Sequence, residues 1–198
     1  MLVYDLEIEK AICGRGEVRQ AGVLYCDGWN DHAGMGISVI GAYDYKEDRY
    51  RVFCRDNFAA FQALLLERHL LVTFNGIGFD NKVLRANGFT VPEGNGDGAA
   101  HYDLLVEVKA ALGIAPNNFG AMKGLGLDAC CRANFGTTKS GDGGHAPVEW
   151  QRGNVGTVID YCLNDVKLTK QLFDAVLGRW LFKSPKEGKE MMLRFPWE

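Results

Sequence analysis

The sequence predicts an α/β domain in which helices flank a mixed sheet. Three strand-like segments come first, then helix and strand patterns alternate, and a long amphipathic helix follows near the end. No internal repeat or linker interrupts the 198 residues, a length that fits one ordinary domain. We therefore expect a single domain over residues 1–183, followed by a C-terminal tail over 184–198 that is charged, contains two prolines and is partly loose.

Composition narrows the class of protein. The chain is 47% hydrophobic and 24% charged, which is typical of a globular protein and excludes a disordered or fibrous one. A net charge of -3 argues mildly against tight binding of a nucleic-acid duplex, but it is compatible with an enzyme that binds a short strand end through metal ions. Six cysteines without a C-x-x-C pair predict reduced thiols in the cytoplasm. We expect no signal peptide and no membrane span, because the first residues lack a basic flank and no apolar run approaches about 20 residues.

Periodicity places the individual elements. Alternating or β-branched apolar residues predict strands at residues 2–12, 35–45, 49–54 and 70–74. Helical spacing and terminal signals predict helices at residues 57–69, 79–86, 125–132 and 155–177. Residues 101–112 fit either a strand or a helix, with Asp103 as a candidate cap. Residues 13–34 are rich in glycine and polar residues and are expected to form a long excursion, whereas 113–154 hold short helical pieces.

Two acids stand together on the first predicted strand. Asp5 and Glu7 are two residues apart, so both side chains point to the same face of the sheet. Neighbouring carboxylates repel each other unless a cation lies between them. Hard ions such as Mg²⁺ and Mn²⁺ suit carboxylate oxygens better than zinc does. The alternative is an exposed edge strand on which both acids are solvated.

Two further segments carry acids in apolar settings. Asp80 follows Asn75-Gly76-Ile77-Gly78-Phe79, and Tyr161 precedes Asp165 by one helical turn on the last helix. Each has an ordinary explanation: Asp80 as an acid at a helix N-terminus, and the Tyr–Asp pair as amphipathic packing. Because burying a carboxylate without a partner is costly, acids from three such segments together predict a two-metal nuclease site.

These residues resemble the motifs of the DEDD (DnaQ-like) 3′–5′ exonucleases of the RNase H-like superfamily. Asp5-Leu6-Glu7 matches the first motif, the segment from Asn75 to Asp80 is similar to the second in the form of family-B polymerase proofreading domains, and Tyr161 with Asp165 matches the third. The histidine form of the family has His five residues before the last Asp, where this chain has Asp160. The resemblance, which spans residues 3 to about 175, therefore implies the tyrosine form. It also implies an RNase H-like fold whose central sheet has about five strands in the order 3-2-1-4-5.

The resemblance implies a metal-dependent exonuclease that hydrolyses single-stranded DNA or RNA from the 3′ end. Two Mg²⁺ or Mn²⁺ ions would be held by the four acids Asp5, Glu7, Asp80 and Asp165. Tyr161 would orient the attacking water, since a phenol with a pKa near 10 is a poor base at neutral pH. Substrate contacts are implied for Leu6, Asn75, Phe79 and Lys139.

Several alternatives stay open at the level of sequence. Phe79 also fits a core position, Lys139 also fits a solvated loop, and His101 and Asp103 either approach the site or serve structure. The excursion at 13–34 departs from a minimal family member. A non-catalytic exonuclease-like nucleic-acid-binding or scaffold module is the main alternative function, and an endonuclease on the same sheet is another. The sequence does not decide between DNA and RNA or identify protein partners.

Overall fold

A five-stranded mixed sheet organises the computed structural model, which describes residues 1–14, 16–92, 100–115, 118, 122–137 and 143–197. The strands are β1 (Leu2–Glu7), β2 (Val39–Asp44), β3 (Arg49–Phe53), β4 (Leu70–Thr73) and β5 (Ala100–Asp103). Their spatial order is β3-β2-β1-β4-β5. β1 lies at the centre, antiparallel to β2 and parallel to β4. The predicted fold class and strand order are confirmed.

Helices cover both faces of this sheet. They are α1 (His32–Met35), α2 (Phe58–Glu67), α3 (Asp80–Ala86), α4 (Leu104–Ala111), α5 (Leu127–Phe135), α6 (Ala146–Gln151) and α7 (Val155–Leu177). Buried side chains of α2 and α3 form one core with one face of the sheet, and those of α4, α5 and α7 form another core with the opposite face. The segment 101–112, which fitted either type of element, contains both: β5 leads directly into α4.

Alternation along β1 determines which way its acids point. Leu2, Tyr4 and Leu6 are buried in the core of α2 and α3. Val3 is buried on the opposite face, against α7. Since side chains alternate along a strand, Asp5 and Glu7 lie on the α7 face. The alternative of an exposed edge strand is excluded, because β1 has a hydrogen-bonded neighbour on each side.

Close approach between α7 and β2 depends on Gly41. The Gly41 N–H donates to Cys162 Sγ at 3.1 Å, so the helix lies directly on the strand. A Cβ at position 41 would lie 3.0 Å from Cys162 Sγ and 3.1 Å from Val166 Cγ2, which is closer than ordinary packing allows. The missing side chain therefore lets α7 lie over the end of β1.

The described residues after α7 contact the rest of the protein. β6 (Phe182–Lys183) and β7 (Glu190–Met191) form a small antiparallel pair. Met191 and Leu193 are buried in the same core as α4 and α7. Arg194 forms an ion pair with Glu107 at 2.7 Å. Among all the residues that the structure describes, no helix is long and apolar enough to cross a membrane.

Several boundaries differ from the sequence-based prediction. β1 ends at Glu7 rather than at residue 12, because the N–H groups of Glu9 and Lys10 donate to the carbonyl of Met35 instead of to a neighbouring strand. The four-residue helix α1 lies inside the excursion, where it is too short for a helical period to show in the sequence. α7 has the predicted bounds, because its apolar positions repeat over 23 residues.

Candidate active site

Three carboxylates converge at the end of the central strand. One ligand oxygen from each of Asp5, Glu7 and Asp165 lies within 4.8 Å of the others. Glu7 and Asp165 are buried, and Asp5 is half-buried. The strand supplies two of these acids and α7 supplies the third, so residues 160 positions apart in sequence share one site. Like charges this close favour a bound cation.

Asp80 lies in the same cleft but outside that group of three. It is the first residue of α3, and its Oδ1 accepts the Leu6 N–H at 3.2 Å, which ties α3 to the central strand. Burial, together with the charges of Asp103 and Asp165, raises the pKa of Asp80 to about 7. A buried carboxylate whose charge is this costly favours a cation beside it. All four acids implied by the resemblance therefore lie around one cleft.

The cleft has a volume of 310 Å³, within the range of about 300–1,000 Å³ that is common for small-molecule sites. Tyr161 lines it together with the four acids. The predicted substrate residues Leu6, Asn75 and Phe79 line it as well. Lys139 lies outside the described residues. The remaining lining residues were not predicted from sequence: Ile8, Ile12, Trp29, Phe74, Gly144 and Pro147.

Asp103 anchors the loop that leads to Asp80. Its carboxylate accepts the backbone N–H of Asn75 at 2.8 Å and that of Ile77 at 2.9 Å. The same carboxylate caps α4 through the N–H of Leu105 at 3.0 Å. Asn75 has a φ of 67°, a left-handed conformation that costs energy for a residue with a side chain. Asp103 thus caps a helix, as predicted, and also holds this loop, but it does not line the cleft.

The loop is tight because Gly76 has no side chain. A Cβ at this position would lie 2.5 Å from Thr73 Oγ1, which is much shorter than a van der Waals contact. The carbonyl of Gly76 accepts the N–H of Asn81 at 2.8 Å, which closes the turn directly onto α3. The turn at Asn75 and Gly76 therefore sets where Asp80 begins its helix.

His101 lies beneath the site rather than in it. Its Nδ1 lies 3.1 Å from Asn81 Nδ2 and its Nε2 lies 3.0 Å from Thr73 Oγ1. An amide nitrogen only donates, so Nδ1 accepts and the proton is assigned to Nε2. Burial lowers the pKa of His101 to about 4, which keeps the ring neutral. Asn81 also accepts the Tyr4 hydroxyl at 2.5 Å, so this buried network connects α3 to three strands.

Cys162 separates the acids from the core of α7. Its Sγ lies 3.5 Å from the carbonyl oxygen of Asp5, to which the thiol donates. Burial raises the pKa of the thiol well above its ordinary value, and the charges of Asp5 and Glu7 raise it further. Cys162 is therefore a packed, protonated thiol and not a nucleophile. All six cysteines are among the described residues, and none of them forms a disulfide.

Comparison with known proteins agrees with this architecture. A family model of the RNase H superfamily matches residues 26–177, a range that contains Asp80, Tyr161 and Asp165 but not the acids of β1. No curated protein matches the sequence.

A family B DNA polymerase from the hyperthermophilic archaeon Pyrobaculum calidifontis has a similar structure, with a TM-score of 0.53 and 15% sequence identity. The match covers 94% of this chain and 26% of the polymerase chain. The chain therefore spans about a quarter of the length of that polymerase, and at this identity the likeness establishes a shared fold.

Proposed function

The chain belongs to the RNase H superfamily, and we propose that it is a metal-dependent 3′–5′ exonuclease that acts on single-stranded DNA or RNA. The observation that carries the proposal is the group formed by Asp5, Glu7 and Asp165, whose ligand oxygens lie within 4.8 Å of one another. Asp80 and Tyr161 face the same cleft. Acids and tyrosine thus meet in the combination that the tyrosine form of the DEDD family uses.

The donor set fits Mg²⁺ or Mn²⁺. Every candidate ligand is a carboxylate oxygen, the donor that hard divalent ions prefer. Three of the four acids (Glu7, Asp80 and Asp165) are buried, so their charges cost energy unless a cation compensates them. When bound, two such ions supply an activated water and neutralise charge on the leaving oxygen of a phosphodiester. Asp5, Glu7, Asp80 and Asp165 would hold them.

Tyr161 is proposed to orient the attacking water. It projects into the cleft from the same helix as Asp165, one turn earlier, while its neighbours Val158 and Cys162 are buried against the sheet. Tyr161 itself packs against this buried cluster, which restricts the movement of its ring. A phenol with an ordinary pKa near 10 donates or accepts a hydrogen bond more readily than it removes a proton at neutral pH.

The residues proposed to contact the substrate are Leu6, Asn75 and Phe79 in the cleft, and Lys139 by resemblance. The Leu6 N–H already donates to Asp80 and the Leu6 side chain is buried in the core of α2 and α3, so Leu6 would contact a nucleotide through its carbonyl. Asn75 and Phe79 belong to the loop that Asp103 holds, which gives them fixed positions before any substrate binds. A cleft of 310 Å³ suits one nucleotide at a strand end better than a duplex.

We further propose a reducing, cytoplasmic setting for the protein. None of the six cysteines forms a disulfide, and this includes the adjacent pair Cys130 and Cys131. Both members of that pair are buried between α5 and α7, where they pack as small apolar side chains. A compartment that keeps thiols reduced is consistent with this use of cysteine.

The test uses single-stranded DNA and RNA oligonucleotides labelled at the 5′ end, with Mg²⁺ or Mn²⁺. The wild-type protein should shorten the labelled strand stepwise from the 3′ end. Asp5→Asn and Asp165→Asn should abolish the ladder, because each removes a ligand oxygen and a charge from the group of three. Asp160→Asn is the matched control: it is an exposed acid on the same helix, and its ladder should equal that of the wild type.

Other outcomes identify the alternatives. A ladder that persists in Asp5→Asn would contradict the proposed site. Binding of the strand without cleavage under any divalent ion would favour a non-catalytic binding or scaffold module. Cleavage of circular single-stranded DNA would identify an endonuclease, since an exonuclease needs an end.

A further inference from the structure

The excursion at residues 13–34 places an exposed tryptophan beside the candidate active site. Trp29 lines the catalytic cleft and is 66% exposed. It also lines a second cavity of 530 Å³, which we call the side groove and which includes Tyr25 and His145. The cleft and the side groove share Ile12, Trp29 and Gly144. Trp29 therefore stands where the two cavities meet.

Backbone hydrogen bonds hold the excursion in place. Ala11 donates to the carbonyl of Leu24 at 3.0 Å and accepts the N–H of Cys26 at 3.1 Å, so the segment folds back on the end of the first strand. Gln151 of α6 holds the same turn from the other side: its Nε2 donates to the carbonyl of Leu24 at 3.1 Å and its Oε1 accepts the Leu24 N–H at 2.7 Å. Asp31 caps the short helix that follows Trp29.

Aromatic contacts position the indole ring itself. The centroid of Trp29 lies 6.3 Å from that of Phe79, with 66° between the ring planes. His32 contacts the same Phe79 ring at 6.5 Å, also at an inclined angle. Such edge-to-face contacts fix a ring without covering it by a parallel neighbour. Trp29 is thus held in place and keeps most of its surface accessible.

Single exposed apolar side chains are common on proteins, so exposure alone indicates no function. The position of Trp29 is more informative. Its ring contacts Phe79 and lines the same cleft as the four acids. A strand whose phosphate lies at those acids carries a base one sugar away from that phosphate. Every base has a flat π-face, and stacking on an aromatic side chain is how proteins bind single strands without reading their sequence.

We propose that Trp29 is a stacking platform for one nucleobase within the last three nucleotides of the strand that enters the cleft. This inference rests on the proposed nuclease function. It assigns a role to the excursion that departs from a minimal family member: the segment supplies a positioning residue for the substrate. Bases of DNA and of RNA both fit this role, since both present the same π-face.

The kinetic test combines Trp29 variants with strands that lack one base. Trp29→Ala should raise KM by about 5- to 160-fold, the range that stacking energies per base imply, with a smaller effect on kcat. Trp29→Phe should restore most of the affinity, because a phenyl ring still stacks. Trp180→Ala is the matched control: Trp180 is 65% exposed, follows α7 and does not line the cleft, so its KM should equal that of the wild type.

An abasic site moved through the last three nucleotides locates the contact. In the wild type, one of these positions should raise KM strongly, and Trp29→Ala should be insensitive to the same position. If the two losses multiply instead, the base and the indole do not interact and the inference is overturned. Equal KM values for Trp29→Ala and wild type would overturn it as well.

A binding assay separates failure of this inference from failure of the proposed function. In Ca²⁺, a strand that stacks on Trp29 should quench part of the tryptophan fluorescence, and Trp29→Phe should remove that part. Quenching that is unchanged in Trp29→Phe would overturn the stacking role. If the wild-type protein cleaves no strand in Mg²⁺ or Mn²⁺ but shows the Trp29-dependent quenching, the nuclease proposal fails while the stacking role stands.

Discussion

Replacing Asp103 by Asn tests whether a buried carboxylate below the cleft organises the loop that carries Asp80. Asp103 is 1% exposed, and its two oxygens accept four backbone N–H groups. Asn has one acceptor oxygen. If that oxygen keeps the bonds to Asn75 and to α4, the amide NH₂ must face the N–H of Ile77, so one donor loses its partner and two donors oppose each other.

The expected cost follows from that loss. A hydrogen bond to a charged group contributes about 1.5–3 kcal/mol, so we expect Asp103→Asn to lower the free energy of unfolding by roughly 2–3 kcal/mol. For a protein of this size the midpoint of thermal unfolding would then fall by roughly 4–12 °C. Divalent-ion affinity should fall too, because a loop that is no longer anchored at Asn75 and Ile77 holds Asp80 less firmly.

Urea denaturation gives the stability change, and isothermal titration with Mn²⁺ gives the ion affinity. Asp128→Asn is the control: this acid lies in the first turn of α5, where it pairs with Arg132 on the surface. Surface pairs of this kind contribute only about 0.3–0.5 kcal/mol. The reasoning is refuted if the two variants have the same unfolding free energy, or if Asp103→Asn binds Mn²⁺ as tightly as the wild type.

Four further predictions follow from contacts around the sheet. Gly41→Val should lower the free energy of unfolding by about 1–3 kcal/mol and weaken Mn²⁺ binding, because the new side chain pushes Cys162 and α7 away from the sheet; urea denaturation and titration calorimetry measure the two effects. Because burial raises the pKa of Asp80 to about 7, binding of Mn²⁺ should release about one proton from this carboxyl group at pH 5.5 and none at pH 9. Titration calorimetry in buffers of different ionisation enthalpy measures the number of protons released. Without metal, the same raised pKa means that Asp80 destabilises the fold as pH rises from about 4 to 7, so added Mn²⁺ should increase the melting temperature more at pH 8 than at pH 5. Arg68→Met should lower the free energy of unfolding by about 3–5 kcal/mol, as measured by urea denaturation. The substitution leaves the buried carboxylate of Asp44 without the guanidinium that now binds it through two nitrogens.

The sequence predicted the parts of the site that depend on regular spacing. Asp5 and Glu7 lie on the same face of the sheet because side chains alternate along a strand. Tyr161 and Asp165 lie on the same face of α7 because they are four residues apart in a helix. The structure brings these residues together with Asp80, and their roles as ligands and catalyst stay predictions.

Contacts between distant segments left no such signal. Asp103 was interpretable as a cap, because the donor at Leu105 is two residues away, but its bonds to Asn75 and Ile77 span 28 and 26 residues. The sequence did not indicate a role for Trp29 either. The glycine-rich segment around it has no helical or strand periodicity from which the direction of the side chain could be predicted. Only the folded excursion, held by Gln151 from far along the chain, places it at the cleft.

Placing two carboxylates on the innermost strand has a consequence for local opening. Asp5 lies opposite Gly41 in the ladder between β1 and β2, and on the other edge of the strand β4 pairs with Leu2 and Val3. Elements of this kind exchange their amide hydrogens only when a large part of a protein unfolds, whereas surface segments open far more often. The acids would then keep their positions on the sheet while surface segments of the protein open and close, and a strand that enters the cleft would meet ligands in a fixed arrangement.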